Sequence, residues 1–262
     1  MSTCVFAFGC HPDDIEFMMG GTLFLLKEKG AEIHYMNPVD GSLGTTQYPR
    51  EKIAFLRREE GKKAADFLGA VFHESIFKDM EVFYSDELIR KATAKVREVK
   101  PDIMLLTSLE DYMEDHMNAA RIGYTAAFCR GMTNYISIPE REPVMKDVAV
   151  YHAMPYGLFD AMRNPVEPDY YINIESVINK KRQMLALHES QKRWLDESQG
   201  MDAYLDTLTE MSGEMGRMSG EFRFAEGWRR HNCLGLCRQD ADPLGDILRE
   251  YIKHNDAKEF NK

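Results

Sequence analysis

His11, Asp13 and Asp14 stand together in the run HPDD, and a second cluster, SLEDYMEDHMNAA over Ser108 to Ala120, brings four acids and His116. Two adjacent carboxylates repel, and a turn ordinarily needs only Asn, Gly or a single Asp. A divalent cation reverses that balance, because its charge stabilises ionised carboxylates and it accepts neutral imidazole as a ligand. Pro12 restricts the backbone between His11 and Asp13. Three protein ligands with one open position describe a catalytic zinc site better than a structural one. The residues alone leave a second reading open. In it Asp14 caps a helix, Asp13 is its solvated neighbour, and His11 and His116 are loop or cap residues.

The flanking elements decide whether the two clusters meet. Val5 to Phe8 is apolar throughout, as a strand buried on both faces would be. After Gly9 and the HPDD run, Ile15, Met18, Met19, Leu23 and Leu26 recur at helical spacing. Ile103 to Thr107 is a second short apolar run, and it leads straight into the acidic stretch before a helix over Met117 to Cys129. In an open parallel sheet both loops lie outside the carboxyl ends of strands, where such folds place their sites. Between them the pattern predicts a strand over Glu32 to Val39 and a loop over Ser42 to Arg50, either lid or surface connection. A helix over Glu51 to Leu68 turns Ile53, Leu56, Ala64, Phe67 and Leu68 inward. A short strand over Ala70 to Phe77 and a helix over Ser85 to Val99, capped by Ser85, complete the alternation. The expectation is an α/β, Rossmann-like three-layer fold with a mostly parallel central sheet and helices on both faces.

Farther on, Ile136 to Lys146 reads as a loop, Asp147 to Ala153 as a strand and Tyr156 to Pro168 as a surface excursion. Ile172 to Leu195 reads as one helix, and Met201 to Met218 as an adaptable core or subunit contact rich in Met. The whole, 1–262, is expected to be one domain whose part from about 170 is a mainly helical extension. Of the 262 residues 44% are hydrophobic and 29% charged, enough for a sizeable core. A net charge of −10 makes a nucleic-acid backbone an unsuitable partner. No apolar run approaches membrane-spanning length. Five cysteines without a leader-like start lead to an expectation of reduced thiols and a cytoplasmic protein. Gly9-Cys10-His11-Pro12 is not the glycine turn a dinucleotide-binding domain needs, which sets an oxidoreductase reading aside.

HPDDIEFMMGGTL resembles the opening motif of the PIG-L (LmbE-like) deacetylases, and DYMEDHMNAAR resembles their second motif. Arg57 to Glu60 with Ala64, Ala65, Leu68 and Gly69 is similar to the helix after the family's lid loop, and Lys100 to Ile103 to its lead-in to the second motif. His188-Glu189-Ser190-Gln191 and Ala225-Glu226-Gly227 are similar to later segments. The resemblance implies a zinc-dependent hydrolase that removes acyl groups, mostly acetyl, from amino sugars of the N-acetylglucosamine type, with metal-bound water as nucleophile. It implies His11, Asp14 and His116 as metal ligands, Asp13 as general base, Arg57 and Asp79 as contacts to substrate hydroxyls, and Asp115 as the residue orienting His116 or its neighbour. Such ligands suit Zn2+ and Fe2+ alike. The partner is then a small amino sugar, with no nucleic acid and no membrane embedding; association into a homo-oligomer is compatible. One departure stands out. Met113 replaces the family's usual His, which leaves a second electrophile to be found, with Tyr112 and His152 as the candidates, and keeps a silent carbohydrate-binding protein as the alternative.

Overall fold

The structure is a computed structural model that describes residues 2–199 and 203–255. The apolar runs form the centre of an eight-stranded sheet in the order β3-β2-β1-β4-β5-β7-β6-β8. Strands β1 (Cys4–Phe8), β2 (Glu32–Met36), β3 (Val71–His73), β4 (Ile103–Leu106) and β5 (Ala149–Ala153) pair in parallel. Strands β1, β4 and β5 are buried along their whole length because helices cover both faces. Val5, Ala7, Leu105 and Tyr151 join a core with α1 (Asp14–Glu28), α2 (Arg50–Leu68) and α5 (Ile178–Leu185). Phe6, Phe8, Met104 and Leu106 face the other way, toward α3 (Asp86–Val99) and α4 (Glu114–Cys129). This alternation is the period of a strand, and it makes the three layers. Ser85 caps α3 by accepting the Leu88 N–H, and Gly69, at φ 71°, ends α2 in the left-handed region.

Several boundaries differ from the sequence expectation. Strand β2 stops at Met36, before Asn37-Pro38, and only Val39 bridges onward, to Phe77. Helix α4 starts at Glu114, so His116 lies in its first turn. Phe67 is 44% exposed and meets Phe24 edge-on instead of entering the core.

The larger correction is in the C-terminal part. The expected helix over Ile172 to Leu195 is three elements: β6 (Tyr170–Asn173), α5 and α6 (Glu189–Gln199). Helix α7 (Ala203–Ser219) covers most of the Met-rich stretch, whose Met201 lies outside the described residues. Strand β7 (Ala225–Arg230) then pairs antiparallel with both β5 and β6, and β8 (Ile252–His254) pairs with β6. The part after 170 therefore adds three strands to the sheet alongside its helices. Its strands carry Asn, Glu and Gly among the apolar residues, so no run of the kind in β1 marks them. Among the described residues no helix is long and apolar enough to cross a membrane.

Candidate metal centre and cleft

The parallel strands deliver their loops to one edge. Residues 9–13 follow β1, and 107–113 follow β4. Asp13 holds φ 126°, a conformation that L residues rarely adopt. That turn separates two carboxylates adjacent in sequence. Asp14 Oδ2 accepts the His11 backbone N–H at 2.7 Å, 3.6 Å from His11 Nδ1 and 3.4 Å from His116 Nε2. Asp13 points away: its Oδ2 accepts the Tyr204 hydroxyl at 2.8 Å, and its Oδ1 lies 3.3 Å from Arg57 Nη2.

The outer nitrogens of both imidazoles meet acids. His116 Nδ1 is 3.1 Å from Asp111 Oδ1. His11 Nε2 lies 3.4 Å from Asp79 Oδ1 and 3.5 Å from Asp115 Oδ2, and it closes no hydrogen bond. Each ring has acids on its outer side and turns its other nitrogen, His11 Nδ1 and His116 Nε2, toward Asp14, as metal-bound histidines do. One ligand atom each from Cys10, His11, Asp14 and His116 falls within 4.8 Å of the others. Burial pushes the Cys10 thiol up to about 12, so it stays a neutral wall.

The electrostatics favour a cation here. Asp13, Asp14, Asp79, Asp111 and Asp115 converge on two imidazoles and one guanidinium, that of Arg57. Burial works against the Asp14 carboxylate, but the His116 and His11 rings outweigh it and hold its pKa down. Burial also disfavours the His11 cation, and Cys10 first, then Asp115, Asp14 and Asp79, reverse that and raise its pKa well above the ordinary value. A buried cluster with this surplus of negative charge, an inward-facing nitrogen on each ring and an inward carboxylate fits a divalent ion.

The other expected residues are placed as follows. Arg57 is buried, not an exposed helix charge; its Nη2 donates to the Pro12 carbonyl at 2.6 Å and its Nη1 to the Gly41 carbonyl at 3.3 Å. Asp79 faces His11 and also accepts the Leu43 N–H at 2.9 Å, pinning the 40–49 loop. Asp115 accepts the Met80 N–H at 2.8 Å and serves the His11 side, whereas Asp111 is the acid on His116. His152 turns away from the cleft, with Nδ1 2.9 Å from the Thr107 carbonyl and Nε2 2.9 Å from His231. Tyr112 stays at the cleft, its ring 5.7 Å from that of His116, and Met113 lines the same wall.

The cleft holds about 510 Å³ and is completed by Tyr156 and, from the C-terminal part, by Gln191, Trp194 and Tyr204. Sequence reasoning missed Asp111 and Tyr204. Nothing distinguished Asp111 from its three acidic neighbours, and Tyr204 sits in a stretch read as packing. The segment His188 to Gln191 docks beside the site: His188 lies 3.2 Å from Glu16, both fully buried, and Ser190 donates twice to Glu60.

Residues 6–127 match the family described as PIG-L, GlcNAc-PI de-N-acetylase. Over 225 residues the chain is 29% identical to the diacetylchitobiose deacetylase of Thermococcus kodakarensis, covering 84% of this chain and 79% of that one. The crystal structure of the N,N′-diacetylchitobiose deacetylase of Pyrococcus horikoshii superposes with a TM-score of 0.71 at 24% identity, over 88% of this chain and 84% of that one. The 4-carboxy-2-hydroxymuconate hydratase of Pseudomonas putida shares the fold equally well, at a TM-score of 0.72 and 21% identity over 88% and 96% of the two chains. The fold thus serves more than one chemistry, and the residues of the site must decide.

Proposed function

We propose that the chain is a metal-dependent deacetylase that removes an N-acetyl group from an amino sugar of the N-acetylglucosamine type. The observation that carries this reading is the division of labour between two adjacent acids. Asp14 faces His11 and His116, while Asp13 lies alongside and faces Arg57 and Tyr204. In this reading His11, Asp14 and His116 hold the ion, zinc or ferrous iron. When bound, the ion acidifies water and polarises the amide carbonyl.

The chain's own residues supply the proton chemistry. Asp13 takes the proton of the attacking water and returns one to the leaving amine. Burial raises its pKa, strengthening it as a base, while Arg57 opposes that rise. Arg57 and Tyr204 each engage one oxygen and leave lone pairs for the water. Arg57 is thereby a brace for the base more than a grip on substrate. Asp79, at the cleft wall, orients His11 from one side and Asp115 does so from the other. Phe17, Tyr156 and Trp194 give the cleft the apolar walls on which a sugar ring packs. The deacetylase relative supports the substrate class.

Metal analysis joined to an acetate-release screen over N-acetylated sugars tests the reading. Stoichiometric metal and acetate release, both lost in His116→Ala, are the expected result. A metal-free protein that binds these sugars without releasing acetate would favour the silent carbohydrate-binding alternative.

A further inference from the structure

His152 faces away from the cleft, and its bonds lead back to His116 from behind. The parallel pairing of β4 with β5 ends at Leu106, opposite His152. The chain then leaves the sheet for the loop that carries Asp111, and the carbonyl of Thr107 lies beyond the last ladder pair. A buried carbonyl without a partner is costly. The His152 side chain takes the place of a ladder N–H, its Nδ1 2.9 Å from the Thr107 carbonyl. Thr107 is itself buried, and its hydroxyl donates to the His116 carbonyl at 3.0 Å. One residue thus joins the end of β4 to the first turn of α4, which carries the His116 ring.

These bonds run in one direction. A carbonyl only accepts, so His152 Nδ1 carries the proton, and burial, which pushes the ring's pKa down to about 3, leaves Nε2 unprotonated. Nε2, 2.9 Å from His231 Nδ1, therefore accepts from it. His231 follows the last residue of β7, and its backbone N–H donates to the Val150 carbonyl at 2.9 Å. Its ring lies against that of Tyr124, on α4, with 4.5 Å between centroids. From the same strand Arg229 reaches the loop, its Nη1 2.9 Å from Glu110 Oε2. Strand β7, from the C-terminal part, is thereby tied to the loop and the helix on which His116 depends.

We infer that His152 is a positioning residue for the metal centre, acting with His231 through Thr107 to hold His116 in ligating geometry. The inference rests on the metal-dependent reading, in which His116 is a ligand. Asp111 fixes the His116 ring at Nδ1, while Thr107 fixes its backbone. A ring steadied at one atom can still shift with the helical turn that carries it, and the second hold removes that freedom. A ligand held in place before the ion arrives loses less freedom on binding, so the chain of bonds contributes affinity.

The test measures zinc affinity on the full chain by competition with a chromogenic chelator. His152→Phe keeps a ring but makes neither bond, and Thr107→Val keeps the shape without the hydroxyl donor. Each is expected to weaken zinc binding roughly 3- to 10-fold, less than the ~10- to 100-fold of a partner on the ring itself. His152→Asn, which can still donate to Thr107, and Thr107→Ser should restore most of that loss. Tyr151→Phe is the control for plain destabilisation: it breaks the 2.7 Å bond to Asp242 in the same strand and leaves the His152–Thr107 bond alone. Its zinc affinity should equal that of the unsubstituted chain. Should His152→Phe fail to fold, Thr107→Val and its Ser counterpart decide the matter. Unaltered affinity in a folded Thr107→Val or His152→Phe, or an equal loss in Tyr151→Phe, overturns the positioning role. If His116→Ala still loses zinc in that case, the metal reading stands. An unsubstituted chain that binds no zinc overturns both.

Discussion

Tyr204 donates its hydroxyl to Asp13 Oδ2 at 2.8 Å across 191 residues of sequence, and so a helix of the C-terminal part fixes an acid of the first loop. Arg57 holds the other oxygen of the same carboxylate. In the proposed mechanism, an acid steadied on both sides keeps its geometry while a proton arrives and leaves.

Tyr204→Phe isolates that hydroxyl. Phe keeps the ring that meets Phe17 edge-on at 5.2 Å, so the packing survives. A hydrogen bond to a charged group is worth roughly 1.5–3 kcal/mol, and kcat should fall about 10- to 100-fold with metal content intact. A change in KM alone, or in thermal stability alone, would return Tyr204 to a packing role.

Asp13 and Asp14 should separate in the same kind of experiment. Asp13→Asn keeps size and some hydrogen bonding but cannot take a proton as a carboxylate does. It is expected to retain metal and fold while kcat drops roughly 10²–10⁴-fold. Asp14→Asn removes the carboxylate that faces both imidazoles, and it should lose metal, with added zinc restoring part of the activity. Equal metal loss in both variants would contradict the division of labour.

Much of this was legible in the chain, and the reasons are specific. Apolar runs with no alternation can only be strands covered on both sides, which placed β1 and β4 and with them both loops. The helix glycines proved equally telling. A Cβ on Gly21 would lie 2.6 Å from Ile174 Cγ2 and 3.0 Å from Glu226 Oε1. That carboxylate accepts the Gly21 and Thr22 N–H groups, each at 2.8 Å, and pairs with buried Lys181 at 2.8 Å. The GGT and AEG segments, far apart in sequence, are thus one contact. What stayed hidden were partners chosen only by folding. The alternation read from sequence carries no information on which of four neighbouring acids turns toward His116, or which tyrosine of a Met-rich helix reaches Asp13. The antiparallel strands escaped for another reason: β7, AEGWRR, is buried through Trp228 by its neighbours rather than by an apolar composition.

Asp111 offers a prediction that sequence alone did not. It touches His116 Nδ1 and also accepts the Met113 N–H at 3.1 Å at the start of α4. Asp111→Ala frees the ring to rotate, and outer partners of this kind are worth about 10- to 100-fold in metal affinity. Asp115→Ala should cost less, because Asp79 remains on His11. Competition with a graded series of chelators orders the three proteins. Asp111→Ala binding metal as tightly as the unsubstituted chain would refute the assignment.

The last prediction concerns pH and a group outside the site. His152 is buried, and burial first, then the neighbouring His231 and Arg229, depress its pKa to about 3, against a favourable bond to the Thr107 carbonyl. The ring is therefore neutral in the fold, with Nδ1–H donated to Thr107 and Nε2 accepting from His231. Unfolded, the same imidazole takes up a proton below about pH 6.5. The unfolded state then binds more protons than the folded one, so stability is full above pH 6.5 and declines as pH falls toward 3. The slope for one such group is about 1.4 kcal/mol per pH unit, or ~2 kcal/mol between pH 7 and pH 5. Burial lowers the His231 pKa as well, which acts with the same sign. His152→Asn can keep the donor to Thr107 while removing the titration. Urea denaturation at pH 7 and pH 5 should show the variant losing less stability over that interval than the unsubstituted chain. Parallel losses in the two proteins would mean that His152 is already charged in the fold.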